Sequence, residues 1–245
     1  MSAHAERRDI GAIMDRRPQI EPGRIPGAVR RLAERLCCDE SAGFTHVRLL
    51  QNGRMRRDGA SGWMKFKARQ HIETNRCAFR WIAETGPFGA VRIKDAFNGE
   101  RGALNVSLFG VAPIVRARRT HELACGELMR YLAELAWAPD AILSNTSLLW
   151  TARDERRFTL SAKTGHAFAE VEITLGKDGL VEQVFAADRP REVGGAFVRQ
   201  PWRGVFSDYR HCGGRLIPTH AEVAWINDGD VESVWIGDIV DWRLI

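Results

Sequence analysis

The chain has 245 residues, a length that suits one large β domain or two small ones and allows a sizeable hydrophobic core. Hydrophobic residues make up 44% of it and charged residues 27%, as is usual for a soluble globular protein. The net charge is +5, but the arginines are interleaved with acidic residues and no nucleic-acid-binding motif accompanies them, so nucleic acid is not an expected partner. No apolar run approaches the roughly 18 residues that a membrane span needs.

The cysteines and histidines form no metal-binding motif. The five cysteines are odd in number and lack metal-ligand spacing, and the adjacent pair Cys37-Cys38 is not a CxxC motif. The seven histidines include no HExxH pattern. We therefore expect neither a metal nor an organic cofactor. The unpaired cysteines favour a reduced, cytoplasmic setting, and the polar N-terminus predicts that there is no signal peptide.

The first part of the chain reads as an arm followed by a short helix. Residues 1–24 are polar and interrupted by prolines, whereas residues 25–245 are predicted to form a single domain. A helix is expected to begin at Pro26, because proline suits the first helical position. Its apolar residues recur at helical spacing and are Val29, Leu32, Ala33 and Leu36.

Most of the remaining chain has the alternating apolar and polar pattern of β-strands. Turn signals separate the first strands at Asn52-Gly53, Gly86-Pro87 and Asn98-Gly99. Strands are predicted from Phe44 onward and at 63–72, 79–83, 91–97, 103–109, 148–152, 157–162, 167–175, 180–187, 202–210, 221–226 and 234–242. This spacing predicts a mainly β (α+β) fold with about ten or eleven antiparallel strands.

Residues 120–137 form the clearest predicted helix. Thr120 is a suitable N-cap, and Pro139 ends the helix because the residue before a proline is disfavoured in helical conformation. One face carries an apolar stripe that we expect to pack on the sheet. The stripe consists of Ala124, Leu128, Leu132 and Leu135.

A second face of this helix carries the candidate catalytic residues Glu127, Arg130, Tyr131 and Glu134, which are spaced i, i+3, i+4 and i+7. Carboxylates can move a proton, while a guanidinium and a phenol can stabilise developing negative charge. The alternative is a solvated face whose ion pairs contribute about 0.2–0.5 kcal/mol each. We predict instead that this face looks into a pocket and meets the C-terminal strands.

Candidate ligand-binding residues lie at the end of the helix and on the C-terminal strands. Asp188-Arg189-Pro190 is expected to end a strand, and the strand after it is expected to begin near Trp202. Eight tryptophans and eleven phenylalanines exceed the needs of one core, and some of them can line a cavity for a flat or apolar ligand. The predicted substrate-binding set is Trp137, Asp188, Arg189, Trp202, Tyr209, Glu222 and Trp225.

Four segments together resemble an uncharacterised bacterial family known mainly as a domain of unknown function. They are Pro26–Leu32, Gly126–Pro139, Pro201–Tyr209 and Ile217–Trp225. The resemblance extends from about residue 26 to the C-terminus and implies no established activity. The order of strands, one helix and further strands also resembles the half-barrel architecture of lipoprotein-carrier proteins. That likeness implies a curved antiparallel sheet that wraps around the helix and encloses an apolar cavity.

The number of ionisable side chains on elements expected to be buried favours a cofactor-independent enzyme. Such an enzyme would be a lyase, or an isomerase that works by proton transfer. It would act on a small apolar or aromatic substrate in the half-barrel pocket. The alternative is a non-catalytic carrier of a lipid or other hydrophobic ligand, which would have a wide and nearly uncharged cavity. A regulatory module is a third alternative, and a homodimer is compatible with the sequence.

Overall fold

The computed structural model describes residues 25–37, 45–56 and 62–245. Within these ranges, thirteen strands form one antiparallel sheet, accompanied by three α-helices. The predicted arm over residues 1–24 and Cys38 lie outside the described residues. The predicted mainly β, antiparallel fold class is confirmed, although the sheet has more strands than expected. No helix in the described ranges is both long and apolar enough to cross a membrane.

The elements follow one another with short connections. The helices are α1 (Gly27–Leu36), α2 (His121–Ala133) and α3 (Ala141–Ser144), with 3-10 turns at Pro87–Gly89 and Glu134–Ala136. The strands before α2 are β1 (His46–Met55), β2 (Met64–Glu73), β3 (Phe79–Thr85), β4 (Val91–Phe97), β5 (Gly102–Leu108) and β6 (Ala112–Arg116). Those after it are β7 (Leu148–Ala152), β8 (Arg157–Thr164), β9 (Ala167–Leu175), β10 (Val181–Val193), β11 (Ala196–Cys212), β12 (Arg215–Asn227) and β13 (Asp230–Leu244).

The sheet consists of two meanders joined at its centre. Strands β1 to β6 run outward in one direction and β13 to β7 in the other, and β1 pairs with β13 between them. Strands β6 and β7 therefore form opposite edges of the sheet. Because α2 lies between these two strands in the chain, it must cross the sheet from one edge to the other.

Helix α2 is enclosed on two sides by the curved sheet. It packs against β8, β9 and β10 on one side and against β4 and β5 on the other. Leu128 and Leu132 of the predicted apolar stripe are fully buried, and Thr120 caps the helix by accepting a hydrogen bond from the backbone N–H of Leu123 at 3.1 Å. Gly102 allows the close approach of β5, because a Cβ there would lie 2.9 Å from the Leu123 side chain. The predicted half-barrel wrapped around one principal helix is thus confirmed.

Two local predictions were wrong, and one strand was missed. Asn52-Gly53 is not a turn but lies inside β1, where Gly53 pairs with Gly237. Asp188-Arg189-Pro190 does not end a strand, because a bulge after Ala186 shifts the register and β10 continues to Val193. Strand β6 was not predicted because all of its residues are exposed, so its sequence lacks the alternation that a half-buried strand shows.

Candidate functional site

An aromatic cavity of about 370 Å³ lies between the C-terminal end of α2 and the concave face of the sheet. Five tryptophans and Phe206 line it, together with a few charged side chains. Its lining includes Arg56, Trp81, Asp95, Arg130, Glu134, Trp137, Arg189, Trp202, Gly204, Phe206, Glu222, Trp225 and Trp235. Its volume falls in the range of about 300–1,000 Å³ that is usual for small-molecule sites.

Two paired glycines position Trp235 in this cavity. A Cβ at Gly237 would lie 2.4 Å from the Trp235 ring, and a Cβ at Gly53 would lie 2.7 Å from the Phe66 ring. The two rings therefore lie over neighbouring glycine backbones, and they stack on each other with their centroids 5.6 Å apart. The Asn52-Gly53 pair is explained by this close approach of an aromatic ring to the strand rather than by a turn.

Trp137 forms the wall at the end of α2. Its indole Nε1 donates a hydrogen bond to the Pro218 carbonyl at 3.0 Å, which fixes the ring against β12. The ring makes an edge contact with Phe206, with centroids 5.5 Å apart, and lies 6.2 Å from Trp235. The aromatic wall is therefore a connected set of rings and not a collection of separate side chains.

Arg130 is held by two carboxylates from different parts of the fold. Its Nε donates to Glu134 Oε1 at 2.8 Å within α2, and its Nη1 donates to Asp95 on β4. The guanidinium also lies over Phe79 and Trp81, 4.9 Å and 5.2 Å from the ring centroids. Burial alone would lower the pKa of Arg130, but the two carboxylates raise it above its usual range, so the group stays charged.

A chain of buried amides continues from Glu134 to the aromatic wall. Gln70 Nε2 donates to Glu134 Oε2, Gln51 Nε2 donates to Gln70 Oε1 at 3.2 Å, and Trp81 Nε1 donates to Gln51 Oε1 at 2.8 Å. Burial raises the pKa of Glu134, while Arg130 and Gln70 oppose that shift. Both carboxylate oxygens of Glu134 are thus occupied by donors of the protein.

Glu127 is buried beside this network without joining the cavity wall. It is 6% exposed, and burial raises its pKa well above the usual range, with the nearby Asp95 carboxylate raising it further. Arg130 and Arg189 oppose the shift only in part. These effects favour the protonated, neutral form of Glu127.

Arg189 enters the cavity from the bulged part of β10. Its guanidinium lies over Trp202, 4.6 Å from the ring centroid, and 5.9 Å from the centroid of Trp225. The bulge after Ala186 changes the register at this point, which aims Arg189 toward the concave face.

Seven of the eleven predicted site residues line the cavity. They are Arg130, Glu134, Trp137, Arg189, Trp202, Glu222 and Trp225. The prediction that the polar face of α2 is covered is confirmed, and the alternative of a solvated face is wrong. The predicted meeting with the C-terminal strands is not what holds this face, because its hydrogen-bond partners Gln70, Glu73 and Asp95 lie on the N-terminal strands β2 and β4. Glu222 lies at the rim, where its half-exposed side chain is 3.5 Å from His220.

The other four predicted residues do not line the cavity. Glu127 lies behind its wall. Tyr131 is fully buried, and its hydroxyl donates to the Glu73 carbonyl at 2.9 Å and accepts from Asn145. The Tyr209 hydroxyl donates to the Val181 carbonyl at the start of β10 at 2.8 Å, and Asp188 is exposed. Burial raises the pKa of both phenols, so neither tyrosine is an acid at neutral pH.

Gln51, Gln70 and Asp95 were missed. All three are at most 8% exposed and belong to the network around Arg130 and Glu134. A signal was present, because Gln51 and Gln70 occupy inward positions in strands whose alternate residues are apolar. The same signal, a polar residue at an alternating position of a strand, is the reason why Glu222 belongs to the predicted set.

The sequence matches the model of a family described as a family of unknown function, DUF6544, over residues 16–236. The chain belongs to the DUF6544 family. No curated protein matches this family member at a significant level.

Three solved structures resemble this DUF6544 chain at low sequence identity. A LolA superfamily protein from Nitrosomonas europaea is 11% identical, with a TM-score of 0.45 over 89% of this chain and 92% of that one. A domain assigned to outer membrane lipoprotein sorting, from Vibrio parahaemolyticus, is 12% identical, with a TM-score of 0.50 over 89% and 90%. A DUF1329 family protein from Desulfovibrio piger is 13% identical, with a TM-score of 0.51 over 89% and 92%. The last two likenesses establish the shared half-barrel fold.

The comparisons contradict the prediction of a cofactor-independent lyase or isomerase. The Vibrio structure shares the fold and is assigned to outer membrane lipoprotein sorting. The geometry agrees with this correction. Arg130 and Gln70 occupy both oxygens of Glu134, and Tyr131 does not reach the cavity. The predicted cluster of acid, guanidinium and phenol is therefore a structural network.

Proposed function

We propose that this half-barrel binds a small apolar ligand in the aromatic cavity without catalysing a reaction on it. The observation that carries the proposal is the wall itself, which combines five tryptophans with the carboxylates of Asp95 and Glu134, both of which are already paired with Arg130. The free energy falls when an apolar molecule displaces water from such a surface, so binding is favourable. The volume of about 370 Å³ corresponds to roughly a dozen water-sized groups.

Most of the segments that carry the family resemblance lie in the same part of the fold as the cavity. Three of the four segments that carry it, on α2, β11 and β12, contribute residues to the cavity wall. The likeness to the Vibrio domain concerns the fold, and that domain is assigned to outer membrane lipoprotein sorting. We infer that a lipid-like or other hydrophobic molecule is the ligand class.

Gly204 offers a direct test, because it lies in the cavity wall between Trp202 and Phe206. A Cβ there would lie 3.4 Å from the Trp202 ring and 3.7 Å from the Phe206 ring, which are ordinary contacts. Gly204→Leu should therefore fill the cavity while the chain still folds. Ser207→Leu is the matched control, since Ser207 is an exposed residue of the same strand.

The assay is binding of the neutral fluorescent probe N-phenyl-1-naphthylamine, with tryptophan fluorescence as a second signal. The wild type and Ser207→Leu should bind the probe equally, and Gly204→Leu should bind it about tenfold more weakly or worse, because the cavity is occupied. Equal binding by all three proteins, or no binding by the wild type, would contradict the proposal.

A further inference from the structure

We propose that the ligand carries an anionic head group, a carboxylate or a phosphate, and that Arg189 binds this group inside the cavity. The inference rests on the proposed function and adds the chemistry of one end of the ligand.

Arg130 and Arg189 differ in how the protein neutralises them. Arg130 forms ion pairs with Asp95 and with Glu134. Among the described residues, no carboxylate lies within ion-pair distance of Arg189, and no side chain or carbonyl accepts a hydrogen bond from it; its contacts are the rings of Trp202 and Trp225. A guanidinium in an aromatic cavity with unused donors is a binding site for an oxyanion.

The contact with Trp202 leaves the donors of Arg189 available. The Cζ atom of Arg189 lies over the Trp202 ring, 4.6 Å from the ring centroid. The five N–H donors of an arginine lie in the plane of the group, so stacking on a ring does not consume them. The edge of the guanidinium can therefore donate two parallel hydrogen bonds to a carboxylate or phosphate while the ring holds it in place.

The tryptophan faces of the cavity are poorly suited to a cationic ligand. Tryptophan faces can bind cationic ligands, but here Arg189 covers Trp202, and Arg191 lies 5.0 Å from the Trp225 centroid. Arg191 itself is neutralised by Glu232 at 3.0 Å. At the rim, Arg56 contributes a further positive charge and donates to a backbone carbonyl. Two of the aromatic faces that would attract a cation are thus occupied by cations of the protein.

Glu127 is buried near Arg189 but does not serve as its counter-ion in place of an anionic ligand. Burial lowers the pKa of Arg189, and Glu127 is the largest of the charges that oppose this shift, yet burial and Asp95 favour the neutral form of Glu127. When Glu127 is protonated, the carboxylates that still act on Arg189 are Asp95 and Glu134, and both are already paired with Arg130. An apolar tail on the tryptophan wall and an anionic head on Arg189 together match the composition of the cavity.

The test compares ligands that share one tail and differ in the head group. Decanoate, decyl phosphate, decan-1-ol and decyltrimethylammonium are titrated against bound N-phenyl-1-naphthylamine below their micelle concentrations. In the wild type, the two anions should displace the probe at concentrations about tenfold or more below those of the alcohol and the cation. Comparison of decanoate with decyl phosphate shows whether the site prefers a carboxylate or a phosphate head group.

Arg189→Met should remove the advantage of the anions while leaving displacement by decan-1-ol unchanged. Arg199→Met is the matched control, because Arg199 is a half-exposed arginine of the adjacent strand and should leave all four titrations unchanged. Arg189→Lys keeps the charge without the planar fork and should retain part of the preference. If Arg189→Met does not fold, the question is decided by Arg189→Lys and by the order in which the four ligands displace the probe from the wild type.

Two failures can be told apart. If the alcohol displaces the probe as well as the anions do, or if Arg189→Met keeps their advantage, this inference is wrong and the proposed function stands. If the wild type binds neither the probe nor any of the four amphiphiles, the proposed function itself fails.

Discussion

Replacement of Arg130 by methionine tests whether the polar face of α2 is a structural network. The variant keeps much of the side-chain volume but removes the buried cation between Asp95 and Glu134, whose side chains are 12% and 9% exposed. Loss of one partner of a buried ion pair typically costs about 3–5 kcal/mol, because the remaining charge stays desolvated. Loss of the contacts with Phe79 and Trp81 adds to this cost. We expect the free energy of unfolding to fall by about 3–5 kcal/mol.

The assay is urea unfolding, with Arg92→Met as the matched control. Arg92 lies on the same strand as Asp95 and pairs with Glu84 at 2.9 Å, but both side chains are more than 40% exposed. Its replacement should change stability by less than about 1 kcal/mol. The penalty of Arg130→Met should also be smaller at pH 5 than at pH 8, because without the cation Glu134 takes up a proton more readily and a neutral acid is less costly to bury. A loss no larger than that of Arg92→Met would refute the structural network.

Two further changes test the network and the aromatic wall. Since the pKa of Glu127 is raised in the folded state, the native protein holds a proton that the unfolded chain releases above about pH 4.5, and stability should fall as pH rises from there toward the folded-state pKa. Glu127→Gln should flatten that decline, whose slope is at most about 1.4 kcal/mol per pH unit, and an unchanged slope in urea unfolding would assign the proton to another group. Gly237→Ala would place a Cβ 2.4 Å from the Trp235 ring, so it should lower stability by about 1–3 kcal/mol and shift the tryptophan emission. Wild-type emission and melting temperature would show that Trp235 does not depend on this glycine.

The fold was largely accessible from the sequence because its signals are local. Alternation and turn residues placed β4, β7 and β9 at their observed bounds, and the cap and proline around α2 located the principal helix. Long-range geometry was less accessible. The bulge in β10 and the ring contacts of Gly53 depend on neighbouring strands, and nothing in the adjacent residues distinguishes them from a strand end and a turn.

The site was only half predictable for the same reason. The spacing on α2 identified Arg130 and Glu134, but their partners Gln70 and Asp95 come from strands that reach the helix only when the sheet curls. Helical spacing also grouped Tyr131 with them, although its hydroxyl turns toward the Glu73 carbonyl. The single domain, the N-terminal arm, the cytoplasmic setting, a homodimer and the lack of metal or cofactor stay predictions.

Native mass spectrometry of the purified protein tests the central claim, occupancy of the cavity by an apolar ligand, most directly. The wild type is measured as isolated, after extraction with organic solvent, and after addition of decanoate, beside Gly204→Leu treated in the same way. The proposal predicts a one-to-one adduct on the wild type that solvent removes and decanoate restores, and a much weaker adduct on Gly204→Leu. A wild type that carries no adduct even with added decanoate, or an equal adduct on both proteins, would contradict it.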